Sequence, residues 1–158
     1  MGGATLLLLF GGPAGSTTAA TLPGAIVARW NATPALAFVT GGLTYGLAGE
    51  DAGDCYATFF LVSESPTYTT GPGYWQRVTY QFSCYGPVGD DAPERMKEAI
   101  MATFNPFMAP LQFAGGTTFA AFPQNAVMSP EEVDARSGLL LHCQMVDVAF
   151  LVNRSLQP

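Results

Sequence analysis

The sequence predicts an α+β fold: an antiparallel β-sheet with helices packed on one face. Three observations carry this. Trp75 to Tyr85 alternates strictly between apolar and polar residues. A capped segment of helical period follows at once, from Asp91 to Phe104. Gly138 to Asn153 is apolar on both of its alternating faces, as a strand covered on two sides must be.

The elements follow in chain order. Residues 1–20 read as an apolar N-terminal arm on a Gly/Ser/Thr linker, and residues 21–158 as a single domain. Thr21 caps a helix with Pro23 in its first turn, which runs to about Asn31. A second helical turn covers Pro34 to Val39, and Thr44 to Leu47 is a short strand. After a turn at Gly49–Asp54, Cys55 to Ser63 (CYATFFLVS) is rich in aromatic and β-branched residues and reads as a buried strand.

Glu64 to Gly73 holds two prolines and two glycines and reads as a polar loop. It joins Cys55–Ser63 to Trp75–Tyr85 in a hairpin. Val78, Tyr80, Phe82 and Cys84 form the core face of the second strand; Arg77, Thr79, Gln81 and Ser83 form the polar face. Asp91 and Glu94 have capping-box spacing, with Pro93 in the first turn. Met96, Ala99, Ile100, Thr103 and Phe104 then trace one helical face. Thr117 to Phe122 is a strand, and PQNAVMSPEEVDARSG is a polar connection to the closing strand. On that strand Leu141, Cys143, Met145, Ala149 and Leu151 share one face, interrupted by Asp147. His142, Gln144, Val146, Val148, Phe150 and Val152 share the other. The helix layer covers one face, and a neighbouring subunit is expected on the other.

Composition narrows the function. The chain of 158 residues is 49% hydrophobic but only 11% charged; such a surface often finds partners, and a polar surface of Ser, Thr, Gln, Asn and Gly is the alternative. Its net charge of −6 and scattered basic residues cannot neutralise a row of phosphates, which argues against direct nucleic-acid binding. Cys55, Cys84 and Cys143 form no CxxC pair, and His142 and Cys143 point to opposite faces, so no metal set is expected. The run Leu6, Leu7, Leu8, Leu9 and Phe10 lacks the basic flank of a signal peptide and the length of a membrane span. Gly15-Ser16-Thr17 lacks the lysine of a phosphate loop. With one histidine inside a strand and no G-x-S-x-G elbow, no catalytic residues and no cofactors are expected. The pairs Glu50/Asp51, Asp90/Asp91 and Glu131/Glu132 read as turn and cap residues.

The order of elements carries a resemblance: N-terminal helix, aromatic strand (CYATFFLVS), variable loop, alternating strand (VTYQFSCYG), capped helix (DDAPERMKEAIMATF), and long closing strand (GLLLHCQMVDVAFLVNR). Over Thr21 to Arg154 this resembles the tail-terminator, or tail-completion, proteins of long-tailed bacteriophages and related phage-like particles. The helix is less basic and less alanine-rich than the family pattern, and residues 1–20 have no counterpart. The resemblance implies a tail-terminator-like fold and a structural virion protein, assembled in the host cytoplasm and placed at the head-proximal end of the tail. Such a protein forms a hexameric ring that caps the tail tube, stops its polymerisation and joins the tail to the head-side connector. Its partners are its own copies, the tube protein and the connector protein. There are no catalytic residues, no cofactor, no metal and no membrane. The expected contact residues are Leu6 to Phe10 in the arm and Pro66, Tyr68, Pro72 and Tyr74 in the loop. Two other classes fit the residues: a head-tail adaptor or tail-tube subunit, and an exported extracytoplasmic binding domain.

Overall fold

The computed structural model describes residues 18–68, 73–135 and 137–155. Its first helix, α1, spans Leu22–Asn31, and a 3-10 turn spans Pro34–Leu36. The strands are β1 (Leu43–Tyr45), β2 (Tyr56–Tyr68), β3 (Gly73–Pro87), β4 (Gln112–Phe113), β5 (Gly116–Val133) and β6 (Leu140–Ser155). A second helix, α2, spans Ala92–Thr103 between β3 and β4. The strands form one six-stranded sheet in the order β1-β2-β3-β6-β5-β4. β1 runs parallel to β2, and every other neighbouring pair is antiparallel. The architecture is α+β, as the sequence predicts, but the sheet is mixed and not wholly antiparallel, because β1 runs parallel to β2.

Local chemistry explains the helices. Thr21 Oγ1 accepts from the Gly24 amide at 3.2 Å and opens α1, as expected. The capping box at α2 does not form. Asp91 sits in helical geometry with no side-chain cap bond. Asp90 Oδ1 instead accepts from the Ala92 amide at 3.0 Å, one residue earlier than the spacing suggests. That releases Glu94 to pair with Lys97 and Asp91 to approach Arg95. The strand and the helix meet at Gly86, where a Cβ would lie 2.8 Å from Pro93 Cδ. Glycine there lets the first turn of α2 close directly onto the end of β3.

Both helices share one core with one face of the sheet. Leu22, Ala25, Ile26 and Trp30 of α1 and Met96, Ala99 and Ile100 of α2 pack with Val78, Tyr80, Phe82 and Cys84 of β3 and Val146, Val148, Phe150 and Val152 of β6. Phe82 stacks on Phe59 at 5.4 Å and on Phe104 at 5.6 Å between ring centroids. Packed rings of this kind add to the area that they bury. The alternation read in Trp75–Tyr85 and the helical face read in Met96–Phe104 are thus the two sides of one layer contact.

Two segments differ from expectation. Glu64 to Tyr68, expected as the first half of a loop, is strand: β2 continues to Tyr68, and β3 begins at Gly73. Proline is tolerated in β2 because this stretch lies at the sheet edge, where strand prolines are confined. The expected connection after Phe122 is also strand. β5 runs on to Val133 and pairs with β6 through three register shifts, at Thr118/Ala120, Pro123/Ala126 and Ser129/Glu132. Those bulges absorb Pro123 and the irregular polar text without ending the strand. The sheet is therefore two long hairpins, β2–β3 and β5–β6, joined along β3 and β6.

Candidate interaction surface

Coverage of the sheet changes abruptly along β2. Tyr56, Ala57, Thr58 and Phe59 are buried, and every residue from Phe60 to Thr67 is exposed. The cause is the length of the neighbours. β1 pairs only with Ala57, Thr58 and Phe59, so β2 becomes an edge strand beyond that point. Phe60, Leu61 and Val62 are 43%, 41% and 50% exposed in sequence. Successive strand residues point to opposite faces, so both faces of distal β2 lack cover here. The opposite margin is similar. β4 pairs only with Gly116 and Thr117 of β5. Beyond it, Phe119, Phe122, Val127 and Met128 are all exposed, with Met128 at 67%.

A polar network fixes the exposed end of the first hairpin. Gln76, only 4% exposed, donates from Nε2 to Glu64 Oε1. Arg154 Nε donates to Gln76 Oε1 at 2.9 Å, and Arg154 Nη2 lies 3.9 Å from the same Glu64 oxygen. The guanidinium also sits over the Phe113 ring at 5.2 Å. The three residues come from β2, β3 and β6, so the network ties three strands together. A buried amide satisfied on both sides holds its geometry, because either bond lost leaves a buried polar group unpaired.

The second face of the sheet carries no helix among the described residues. Part of it is covered by the chain itself: Ala52, Tyr56 and Leu141 cluster with Ala48 and Tyr85. Tyr56 and Tyr85 stack at 4.8 Å. At its centre Asp147 accepts from Gln81 Nε2 at 3.0 Å and from Asn125 Nδ2 at 3.4 Å. This accounts for an acid inside an otherwise apolar strand: both carboxylate oxygens have amide donors.

The sequence-predicted contact residues are placed as follows. Pro66, Tyr68 and Tyr74 come together at the end of the β2–β3 hairpin, with Tyr68 paired to Tyr74 and Pro66 to Gln76. They sit on strands rather than in a loop. Leu6 to Phe10 and Pro72 lie outside the described residues. Sequence reasoning missed Gln76 and Arg154, which lie 78 residues apart and carry no local signal of their contact. The exposed run Phe60–Val62 reads from sequence as buried strand because it continues an aromatic stretch.

Two small depressions lie among the described residues. One depression of about 200 Å³ is lined by Trp30, Asn31, Thr33, Leu36, Ala37, Val39 and Gly42. Another of about 90 Å³ lies among Glu50, Asp54, Asp134 and Ser137. Among the described residues no group of three His, Cys, Asp or Glu is placed to hold a metal. No helix among them is long and apolar enough to cross a membrane.

No protein-family model and no curated protein matches the chain. Solved structures do match. One, whose name describes no activity, superposes with a TM-score of 0.47 and 15% identity, over 85% of this chain and 96% of that one.

Proposed function

We propose that the chain is a structural subunit of the tail-terminator kind. Copies form a ring on the tail tube, stop its growth and present a surface to the head-side connector. The supporting observation is the uncovered sheet: from Phe60 to Thr67, β2 stays paired with β3, apart from a bulge at Val62, while every side chain is exposed. A strand held in register with apolar residues on show is organised for contact with another protein rather than for enclosing a substrate. The network of Glu64, Gln76 and Arg154 keeps that contact surface rigid. In this reading the helix layer supplies stability, and the hairpin ends reach the neighbouring copies, the tube and the connector. The tail-terminator-like fold and hexameric stoichiometry belong to the same proposal.

The test is made in the particle that encodes the chain. Without the protein, tails should grow to uncontrolled length and fail to join heads, and the intact chain supplied in trans should restore both. Tails of normal length joined to heads in its absence overturn the reading. Imaging of the purified chain on tail tubes then separates a terminator from a tube subunit: a terminator sits once, at one end.

A further inference from the structure

We infer that the two uncovered edges of the sheet pair with each other between copies: β2 of one copy, at Ser63–Ser65, adds to β5 of a second copy, at Ala126–Ser129. The inference deepens the ring reading and rests on it for the closure of the assembly.

The two margins are built alike. Each outermost strand is short, three residues in β1 and two in β4. Each leaves the long strand beside it without a partner on one side, among the described residues. Unpaired strand edges are normally blunted by lysine, proline or bulges. Here proline and bulges bound the open strips instead of occupying them. On β2 the strip lies between the irregularity at Leu61/Ser63 and Pro66. On β5 it lies between the irregularities at Pro123/Ala126 and Ser129/Glu132. Neither Phe60–Thr67 nor Phe119–Ser129 contains a lysine or arginine. The one charge on the β2 strip, Glu64, is turned to Gln76 and Arg154 of its own sheet. Val127 and Met128 within the β5 strip, and Phe60, Leu61 and Val62 beside the β2 strip, supply exposed apolar area.

The occupant is a second copy because one molecule carries both halves. A contact between two β2 edges would bring Glu64 against Glu64 of the second copy and leave β5 open. A contact from β2 to β5 uses both edges of every copy and is heterologous, the kind that closes into a ring when its rotation permits. Main-chain hydrogen bonds supply the contact and the flanking apolar side chains select the register.

Val62→Lys places a charge at the bulge that borders the β2 strip and so hinders that edge, and Val127→Lys hinders the β5 strip from within. Both side chains are half exposed, so the fold should survive, as checked by circular dichroism and the unfolding midpoint. Val62→Glu and Val127→Glu form a second pair for use if a lysine variant does not fold. Light scattering of the full chain should give rings for the parent and monomer mass for each variant alone. A one-to-one mixture of the two variants should give dimers, because each retains the edge that the other has lost. Rings from either variant alone, or a mixture that stays monomeric, overturn the inference and leave the ring reading standing. Rings lost on removal of residues 1–17 but kept in both lysine variants overturn it as well, and assign the edge to the N-terminal segment. A parent chain that is monomeric at every concentration overturns the ring reading itself, and this inference with it.

Discussion

Ala57–Phe59 and Phe60–Val62 are neighbours on one strand, alike in composition and opposite in environment. All three of the first residues are buried beside β1, Ala57 and Phe59 under the helix layer and Thr58 on the other face; the next three are each at least 41% exposed. Backbone pairing with β3 runs through Leu61, skips Val62 at a bulge and resumes at Ser63. Strand formation therefore does not depend on cover: β3 supplies the ladder for the whole length of β2. What differs is the reward for being apolar. Beneath the helices it is core burial within the chain; beyond them it requires a partner. The comparison separates residues that make the fold from residues that are available for assembly, and it can be broken at either side.

The largest effect is expected under the helices. Phe82 is fully buried and stacks on both Phe59 and Phe104. Phe82→Ala should cost about 3–5 kcal/mol, as a large-to-small change in a packed core. Chemical denaturation measures it directly. An unchanged midpoint would mean that the β3-to-α2 contact is not the core.

Next comes the network that stiffens the uncovered end. Gln76→Ala removes the amide that joins Glu64 to Arg154 and leaves two charged groups with one bond fewer each. The expected loss is about 1–3 kcal/mol, the cost of unsatisfied partly buried polar groups. Hydrogen exchange should speed up in the distal parts of β2, β3 and β6 and stay slow at Phe82. A uniform increase over the whole sheet would show that the two halves are not separable.

Tyr80 lies at the boundary, paired with Leu61 across the hairpin. Burial first, then Tyr45 and Glu64, pushes its hydroxyl pKa up to about 12, against an opposing pull from Arg154. The unfolded chain loses this proton near pH 10. Below that pH the neutral hydroxyl is present in both states and its contribution is complete. As the pH rises towards 12 the unfolded state ionises first and stability falls, by up to about 1.4 kcal/mol per pH unit. Tyr80→Phe should flatten that part of the pH profile. Equal slopes for parent and variant would place Tyr80 in water.

How much of this was legible in sequence divides along the same boundary. Where the helices cover the sheet, burial imposes a period, and Val78–Cys84, Met96–Phe104 and the α1 cap at Thr21 were readable. Where cover ends, the period loses its cause. Glu64, Pro66 and Thr67 are exposed on both faces and look like a loop, yet they are strand because β3 pairs with them. β5 is obscured in the same way by its prolines and bulges. Pro66, Tyr68 and Tyr74 were found as a group because they lie close together in the chain. Gln76 and Arg154 were not, because only the β3–β6 pairing brings them together. The Asp90 cap was missed by one residue, since Asp90 and Asp91 are chemically equivalent until the backbone chooses between them.

The smallest effect on stability is expected just past the boundary, and it is the sharpest test of the comparison. Val62 is 50% exposed and sits in the break in register between Leu61 and Ser63. Val62→Ser removes little area already withdrawn from water, so the monomer should change by no more than about 0.5 kcal/mol. Ala57 on the same strand is 1% exposed, and Ala57→Ser puts a hydroxyl into the core. That change should cost about 1–3 kcal/mol unless the hydroxyl finds an acceptor. Assembly should order the two variants the other way. Val62→Ser removes apolar area that only a partner can bury and should weaken self-association in light scattering. Ala57→Ser should assemble at the parental concentration wherever it is folded. If both variants change folding and assembly in proportion, the uncovered half of β2 is simply the frayed end of the core. Opposite rankings in the two measurements would make the end of β1 the line at which the strand stops serving the fold and begins to serve the assembly.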